Sequence, residues 1–368
     1  MPQRAELPLK VAIVHGQLSH GGSERQLYWL LKACERQRWQ PMLYISGNLG
    51  VWEAPIQALD IPITLLAGNP AQKMWQFRQQ CKAQQVQRFI SWGSYTNGYA
   101  LALAGLGVPC IGSFRNAHFA DLPERHRWFW TWFSLAGVSA IVCNSQETCA
   151  VMRAKASRRQ QVLYVPNGVQ ALDNQAFHRA EWRRRLQIDD EEVLVLGVGR
   201  LTEQKNFARF IQAIRLTQQT TPVRAVIAGP DMGLKQALLA QIAAANLAPG
   251  TIQLIDAVPD ARELMCASDI FMLSSDYEGM PNVILEAMAQ GIPCISTRVN
   301  GVQTLIEQGI NGWITEPNAA ALAEAVCRLA KTPELRRQFG AKAKAHLESQ
   351  FDPCAIYRQL WQFCEKQK

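Results

Sequence analysis

The chain of 368 residues carries ten cysteines but no Cys-x-x-Cys pair and no cluster of cysteine and histidine at metal-ligand spacing. That absence argues against a disulfide framework and against a structural zinc site. The thiols stand singly, several inside apolar runs such as Ile141-Val142-Cys143 and Pro293-Cys294-Ile295, where a reduced thiol serves as a small hydrophobe. Charge is also scarce, at 18% of residues against 48% hydrophobic, which excludes a disordered chain and leaves ample material for packed cores. There is no Asp-x-Asp and no His-Glu-x-x-His motif, no tandem repeat and no low-complexity tract. Long apolar runs are missing too. The nearest, Trp128 to Cys143, is uncharged but broken by Ser134, Gly137 and Ser139 and too short to span a bilayer. It reads as a buried helix followed by a strand. Val11 to Val14 is too short for the core of a signal peptide. A cytoplasmic protein is expected.

What is present is a repeated alternation. Short β-rich apolar runs fall near 9–15, 41–46, 62–66, 87–92, 109–113, 139–143 and 161–165, with helices starting near Gly22, Pro70, Ser94, Pro123 and Ser145. The pattern restarts at 193–199 and continues through 223–228, 252–254, 269–273 and 293–296, ending in consecutive helices from 318 to 368. Alternating strands and helices specify parallel sheets, so two doubly wound α/β domains are expected, with a boundary near Pro166-Asn167-Gly168. The assigned domains are 1–168, 169–350 and a closing helical segment 351–368 that returns to the first domain. Charge divides unevenly between the halves. Residues 1–165 hold 17 Lys/Arg and 8 Asp/Glu, so the net charge of +8 lies wholly in the first half. An anionic partner for that half is one reading and a solvated basic face the other.

Two segments carry chemistry. Ser274-Ser275-Asp276-Tyr277-Glu278-Gly279-Met280-Pro281-Asn282-Val283 follows a strand and opens a helix that contains Glu286. Such a turn lies at the carboxyl end of a parallel sheet, where these sheets bind ligands. The amides of Gly279, Met280, Asn282 and Val283 can donate to an anion or a sugar hydroxyl, and Pro281 near the helix start loses no hydrogen bond. Glu278 and Glu286 are acceptors suited to vicinal hydroxyls. After the first strand of the second half, Gly199 allows a tight turn while Arg200 and Lys205 bring two cations to the same sheet end.

Glu278-x7-Glu286 with Gly-Met-Pro between, Gly199-Arg200 with Lys205-Asn206, Pro166-Asn167-Gly168-Val169 and Asn144-Ser145 together resemble the retaining glycosyltransferases of family 4. The likeness spans nearly the whole chain. It implies the GT-B fold, two Rossmann-like domains facing a central cleft, with acceptor on the first and nucleotide-sugar donor on the second. By the resemblance, Glu286 holds the donor ribose, Glu278 and the following amides hold the donor sugar, and Arg200 and Lys205 bind the diphosphate. Gly21 and Gly22 resemble the family's glycine loop, and His118 in Arg115-Asn116-Ala117-His118 its active-site histidine, with Arg115 and Asn116 as acceptor-side candidates. His15 and His20 are given no catalytic role. The resemblance implies front-face attack in which the leaving diphosphate takes the acceptor's proton, with no metal and no other cofactor. Asn300-Gly301-Val302-Gln303 and Asp256 depart from the family's pattern.

The expected activity is transfer of a hexose or N-acetylhexosamine from a nucleotide-diphosphate sugar, UDP favoured over GDP, to a cell-envelope glycan or lipid-linked acceptor. The basic first half and the patch Arg125-His126-Arg127-Trp128-Phe129-Trp130 suit peripheral docking on the inner face of an anionic cytoplasmic membrane. Rival readings are a non-catalytic sugar-nucleotide-binding relative and a nucleotide-sugar 2-epimerase. Nucleic acid is not expected as a partner, because no binding motif accompanies the charge.

Overall fold

The computed structural model describes residues 7–19, 21–116 and 122–367, and the chain divides into two compact units. One comprises Met1–Gly168 with Pro353–Lys368, the other Val169–Asp352. His20 and His118 lie outside the described residues.

The first unit is built on a parallel sheet of β1 (Leu9–His15), β2 (Trp39–Ile45), β3 (Ile63–Leu65), β4 (Arg88–Ser91), β5 (Cys110–Phe114), β6 (Ala140–Cys143) and β7 (Gln161–Tyr164). The strand order is β3-β2-β1-β4-β5-β6-β7. Val11 to His15 are buried without interruption, because β1 is central and helices cover both faces of the sheet there. The order reverses between β1 and β4, which opens a crevice beyond their carboxyl ends. Around the sheet lie α1 (Gly22–Lys32), α2 (Glu53–Gln57), α3 (Pro70–Gln84), α4 (Arg127–Leu135) and α5 (Gln146–Lys155). A 3₁₀ helix over Ser94–Leu103 stands where the sequence suggests an α-helix. Its Thr96 and Asn97 side chains bond to backbone, Asn97 exchanging two bonds with Ser113, and so compete with α-helical pairing.

Helix α4 corrects one expectation. It begins at Arg127, beyond Pro123, and of its residues only Ser134 is fully buried. Trp128 is 73% and Trp132 57% exposed. The helix packs on the 3₁₀ helix and the core through Trp130, Phe133 and Leu135, and leaves Trp128, Phe129 and Trp132 outward. Phe133 presses on Gly98, where a Cβ would overlap its ring, and Trp130 stacks on Tyr95 at 5.8 Å between centroids.

The second unit repeats the architecture. After α6 (Gln175–Leu186) come β8 (Leu194–Val198), α7 (Phe207–Thr217), β9 (Arg224–Ala228), α8 (Lys235–Ala244), β10 (Ile252–Ile255) and α9 (Ala261–Met265). β11 (Ile270–Leu273), α10 (Asn282–Ala289), β12 (Cys294–Thr297), α11 (Val302–Leu305), β13 (Gly312–Thr315), α12 (Ala319–Lys331) and α13 (Pro333–Gln350) complete it. Its parallel sheet runs β10-β9-β8-β11-β12-β13, so the reversal falls between β8 and β11. The edge strand β13 is absent from the sequence reading; its four residues follow no long apolar run. The charged stretch 179–185 sits on α6, where Arg183 is buried and bonds Ala267 O at 2.9 Å and Asp269 at 3.2 Å.

The last helix, α14 (Pro353–Lys366), belongs to the first unit. Its buried Tyr357 donates to Gln26 Oε1 at 2.6 Å, Trp361 Nε1 donates to Leu30 O at 2.9 Å, and Arg88 Nε reaches Cys364 O at 3.2 Å. No helix among the described residues is long and apolar enough to cross a membrane.

Candidate active site

In the second unit the two chemistry-bearing segments meet where the strand order reverses. Gly199 to Lys205 follow β8, and Ser274 to Pro281 link β11 to α10. Their loops are stitched together: Asp276 N donates to Gln204 O at 2.9 Å, Gln204 Nε2 to Tyr277 O at 2.8 Å, and Ser274 Oγ to Lys205 O at 2.9 Å. Arg209 adds a brace, donating to Ser274 O at 2.8 Å and pairing with Asp276 at 2.7 Å. Asn206, at φ +45°, caps α7 through its side chain and donates to Asp276 Oδ2 at 3.1 Å. Gln204, Arg209 and Asp276 are absent from the sequence-based site. Their signal is faint, since a carboxylate and an arginine 67 positions apart show no pairing in the chain order.

Lys205 and Glu278, assigned to separate parts of a ligand by sequence, touch each other. Lys205 Nζ lies 2.6 Å from Glu278 Oε1, with side chains 12% and 10% exposed. Ser275 Oγ donates to the same oxygen at 2.7 Å, and Thr297 Oγ1 holds Ser275 O at 2.6 Å. The Lys205 stem runs across Gly199, where a Cβ would come within 3.0 Å of it. Arg200 is exposed. Pro281 is the N-cap of α10, so Asn282 and Val283 occupy its first positions. Glu286 lies one turn further on and is 6% exposed. Its charge acts on Arg262: burial works to lower the Arg262 pKa, but the hydrogen bonds it donates to Asp260 and the charges of Asp260 and Glu286 outweigh burial and raise it. Gly301 packs on the Gly279-Met280 backbone at φ +72°, where a Cβ would approach Gly279 O to 2.6 Å. Asp256 pairs with Lys235 at 2.5 Å.

In the first unit Gly21 and Gly22 open α1, with the buried Glu24 carboxylate folded back against Gly21. His15 ends β1, 3.9 Å from Glu24 through Nε2, and burial followed by the charge of Arg115 lowers its pKa from 6.5 to about 4. Arg115 and Asn116 follow β5. The Arg115 guanidinium turns inward, lies 4.0 Å over Trp92, and donates to Asn167 Oδ1 at 2.6 Å and Tyr357 OH at 3.3 Å.

Residues 178–346 match the family described as "Glycosyl transferases group 1", and residues 20–171 match "Glycosyltransferase Family 4". The chain is 33% identical over 182 residues to the amylovoran biosynthesis glycosyltransferase AmsK of Erwinia amylovora, covering 47% of this chain and 44% of that protein. It is 27% identical to the lipopolysaccharide core biosynthesis glycosyltransferase LpsE of Rhizobium meliloti, over 68% of this chain and 70% of that one. Among solved structures, HepE of Anabaena in complex with UDP and glucose aligns with TM-score 0.85 at 19% identity, over 97% of this chain and 100% of that chain. The two family matches, over residues 178–346 and 20–171, and the two doubly wound parallel sheets place this chain among the family 4 glycosyltransferases of GT-B fold.

Proposed function

We propose that the protein transfers a hexose or N-acetylhexosamine, with retention, from a nucleotide-diphosphate sugar to a cell-envelope glycan or lipid-linked acceptor. The observation that carries this reading is the Lys205–Glu278 pair at the reversal point of the second sheet, with Gly199 and Arg200 following β8 and Glu286 on α10. In this reading the exposed Arg200 and the Lys205 ammonium receive the diphosphate, and Lys205 partly exchanges its bond to Glu278 for one to phosphate. Glu278, with the backbone of Gly279, Met280, Pro281, Asn282 and Val283, then takes the donor sugar, while Glu286 takes the ribose hydroxyls. Gly21 and Gly22 are assigned the role of the family's glycine loop, and His118 that of its active-site histidine. The leaving diphosphate accepts the acceptor's proton, and the two cations stabilise its developing charge. The reading assigns no metal to that step, and Asp276 and Glu278 are engaged by Arg209 and Lys205. UDP-sugars are favoured, in keeping with the UDP and glucose bound by HepE, and a cell-envelope product with the roles named for AmsK and LpsE.

The test is a thermal-shift panel of UDP-, GDP- and ADP-sugars with Glu286→Ala and Lys205→Ala alongside wild type. A donor at about 100 times its Kd stabilises by roughly 2.7 kcal/mol. A shift for one base, lost in both variants and unchanged by EDTA, supports the reading; no shift from folded protein sinks it.

A peripheral membrane site belongs to the same proposal. Trp128, Phe129 and Trp132 form an exposed stripe on α4, preceded by Arg125 and Arg127, in the half of the chain that carries the basic excess. Aromatic rings beside cations suit the interface of an anionic bilayer. Pelleting with anionic but not neutral vesicles, lost in Trp128→Ser/Trp132→Ser, is the expected result.

A further inference from the structure

The first unit contains a cation that has no counter-charge among the described residues. Arg115 Nη1 has essentially no exposed surface and no hydrogen-bond partner. The groups its guanidinium does meet, Asn167, Tyr357 and Trp92, are all neutral, and no carboxylate among the described residues pairs with it. A shielded guanidinium is ordinarily paired, because desolvation without a counter-charge is costly. Burial accordingly lowers its pKa. Nearby, both ring nitrogens of the buried His15 also lack hydrogen-bond partners. These groups stand beyond the carboxyl ends of β5 and β1, on either side of Trp92 at the end of β4, around the reversal point of this sheet. A Cβ on Gly16, the next residue after His15, would meet nothing within 4 Å, so the chain there borders open space.

We propose that Arg115, with His15 beside it, forms an oxyanion receptor in the first unit for a phosphate or carboxylate of the substrate. The neutral imidazole offers one donor and one acceptor, suited to a hydroxyl adjoining the anion. Asn167, Tyr357 and Trp92 fix the guanidinium, leaving Nη1 for the ligand. Glu24 faces the other side of His15 and leans on Gly21. The site deepens the glycosyltransferase reading by naming an anionic group on a substrate, and it rests on that reading for the source of the anion.

Inorganic phosphate is the probe, measured by calorimetry and thermal shift against chloride at matched ionic strength, with UDP titrated in parallel. Wild type is expected to melt higher in phosphate. Arg115→Met should abolish that increment while leaving the melting temperature in chloride unchanged or raised, since an apolar stem replaces an unpaired buried charge. Arg115→Lys keeps the charge but loses the fork, and should bind phosphate about tenfold more weakly. If Arg115→Met fails to fold, the Arg115→Lys titration decides alone. An unchanged UDP Kd in these variants assigns the anion to the acceptor, and a weakened one assigns it to the donor's diphosphate. The proposal is overturned if wild type shows no phosphate increment over chloride, if the variants keep it in full, or if Arg115→Met lowers stability equally in both salts. Loss of donor binding in wild type would sink the glycosyltransferase reading instead, and leaves the phosphate result standing.

Discussion

The two sheets share a winding but end differently at their reversal points. Beyond β8 and β11 the charges are mutually satisfied: Lys205 with Glu278 and Ser275, Arg209 with Asp276, and two loops crossed by backbone bonds. At the ends of β1, β4 and β5, the His15 ring nitrogens and Arg115 Nη1 are buried without hydrogen-bond partners among the described residues, and Gly16 faces open space. One site pairs its charges within the protein, and the other holds polar groups without hydrogen-bond partners among the described residues. A paired site exchanges one bond for another on binding, whereas an unpaired one gains a bond it never had.

The largest effect should come from breaking the satisfied side. Lys205→Ala leaves Glu278 buried and unpaired, at a cost of about 3 kcal/mol, whereas Lys205→Met with Glu278→Gln recovers much of the stability and none of the donor binding. Chemical denaturation with donor titration separates the two, and a Lys205→Ala variant as stable as wild type would refute the pairing. Glycine replacement sharpens the same contrast. A Cβ on Gly229 would overlap Gly199 O, so Gly229→Ala should destabilise by about 1–3 kcal/mol and distort the loop carrying Arg200. Gly16→Ala should stay within about 0.5 kcal/mol.

His15 supplies a pH test confined to the first unit. Its folded pKa of about 4 lies below the free value of 6.5, so the unfolded chain binds the proton more readily. The contribution is complete above about pH 6.5 and declines as pH falls towards 4, by up to about 3 kcal/mol. His15→Asn should flatten that slope; a variant with the wild-type slope would contradict it. Smallest is the protection of buried thiols, which react only when a unit opens. Burial raises Cys81 and Cys110 to about 12 and Cys266 to about 11. Phosphate should slow alkylation of the first two, and UDP that of Cys266 and Cys294.

Much of the architecture was legible in the order of residues. Strand runs such as Val11 to Val14 and Ile270 to Leu273 are apolar throughout, and their alternation with helix-length stretches dictates parallel pairing with both faces covered. The segments at the second reversal point were legible as well, because a strand followed by Gly and then a helix start can lie only at a carboxyl edge. The aromatic run 128–133 misled. Its hydrophobicity is real, but only one face of α4 packs on the unit, and Trp128, Phe129 and Trp132 lie on the other.

Composition and periodicity by themselves determined the two α/β sheets and the segments that reach their carboxyl ends, since both follow from local pattern and chain direction. Tertiary structure alone decided which charges find each other. Lys205 meets Glu278 across 73 positions, Arg115 meets Tyr357 across 242, and no hydrogen-bond partner among the described residues meets Arg115 Nη1. Pairing is a matter of distance and desolvation, and neither exists until the strands are side by side.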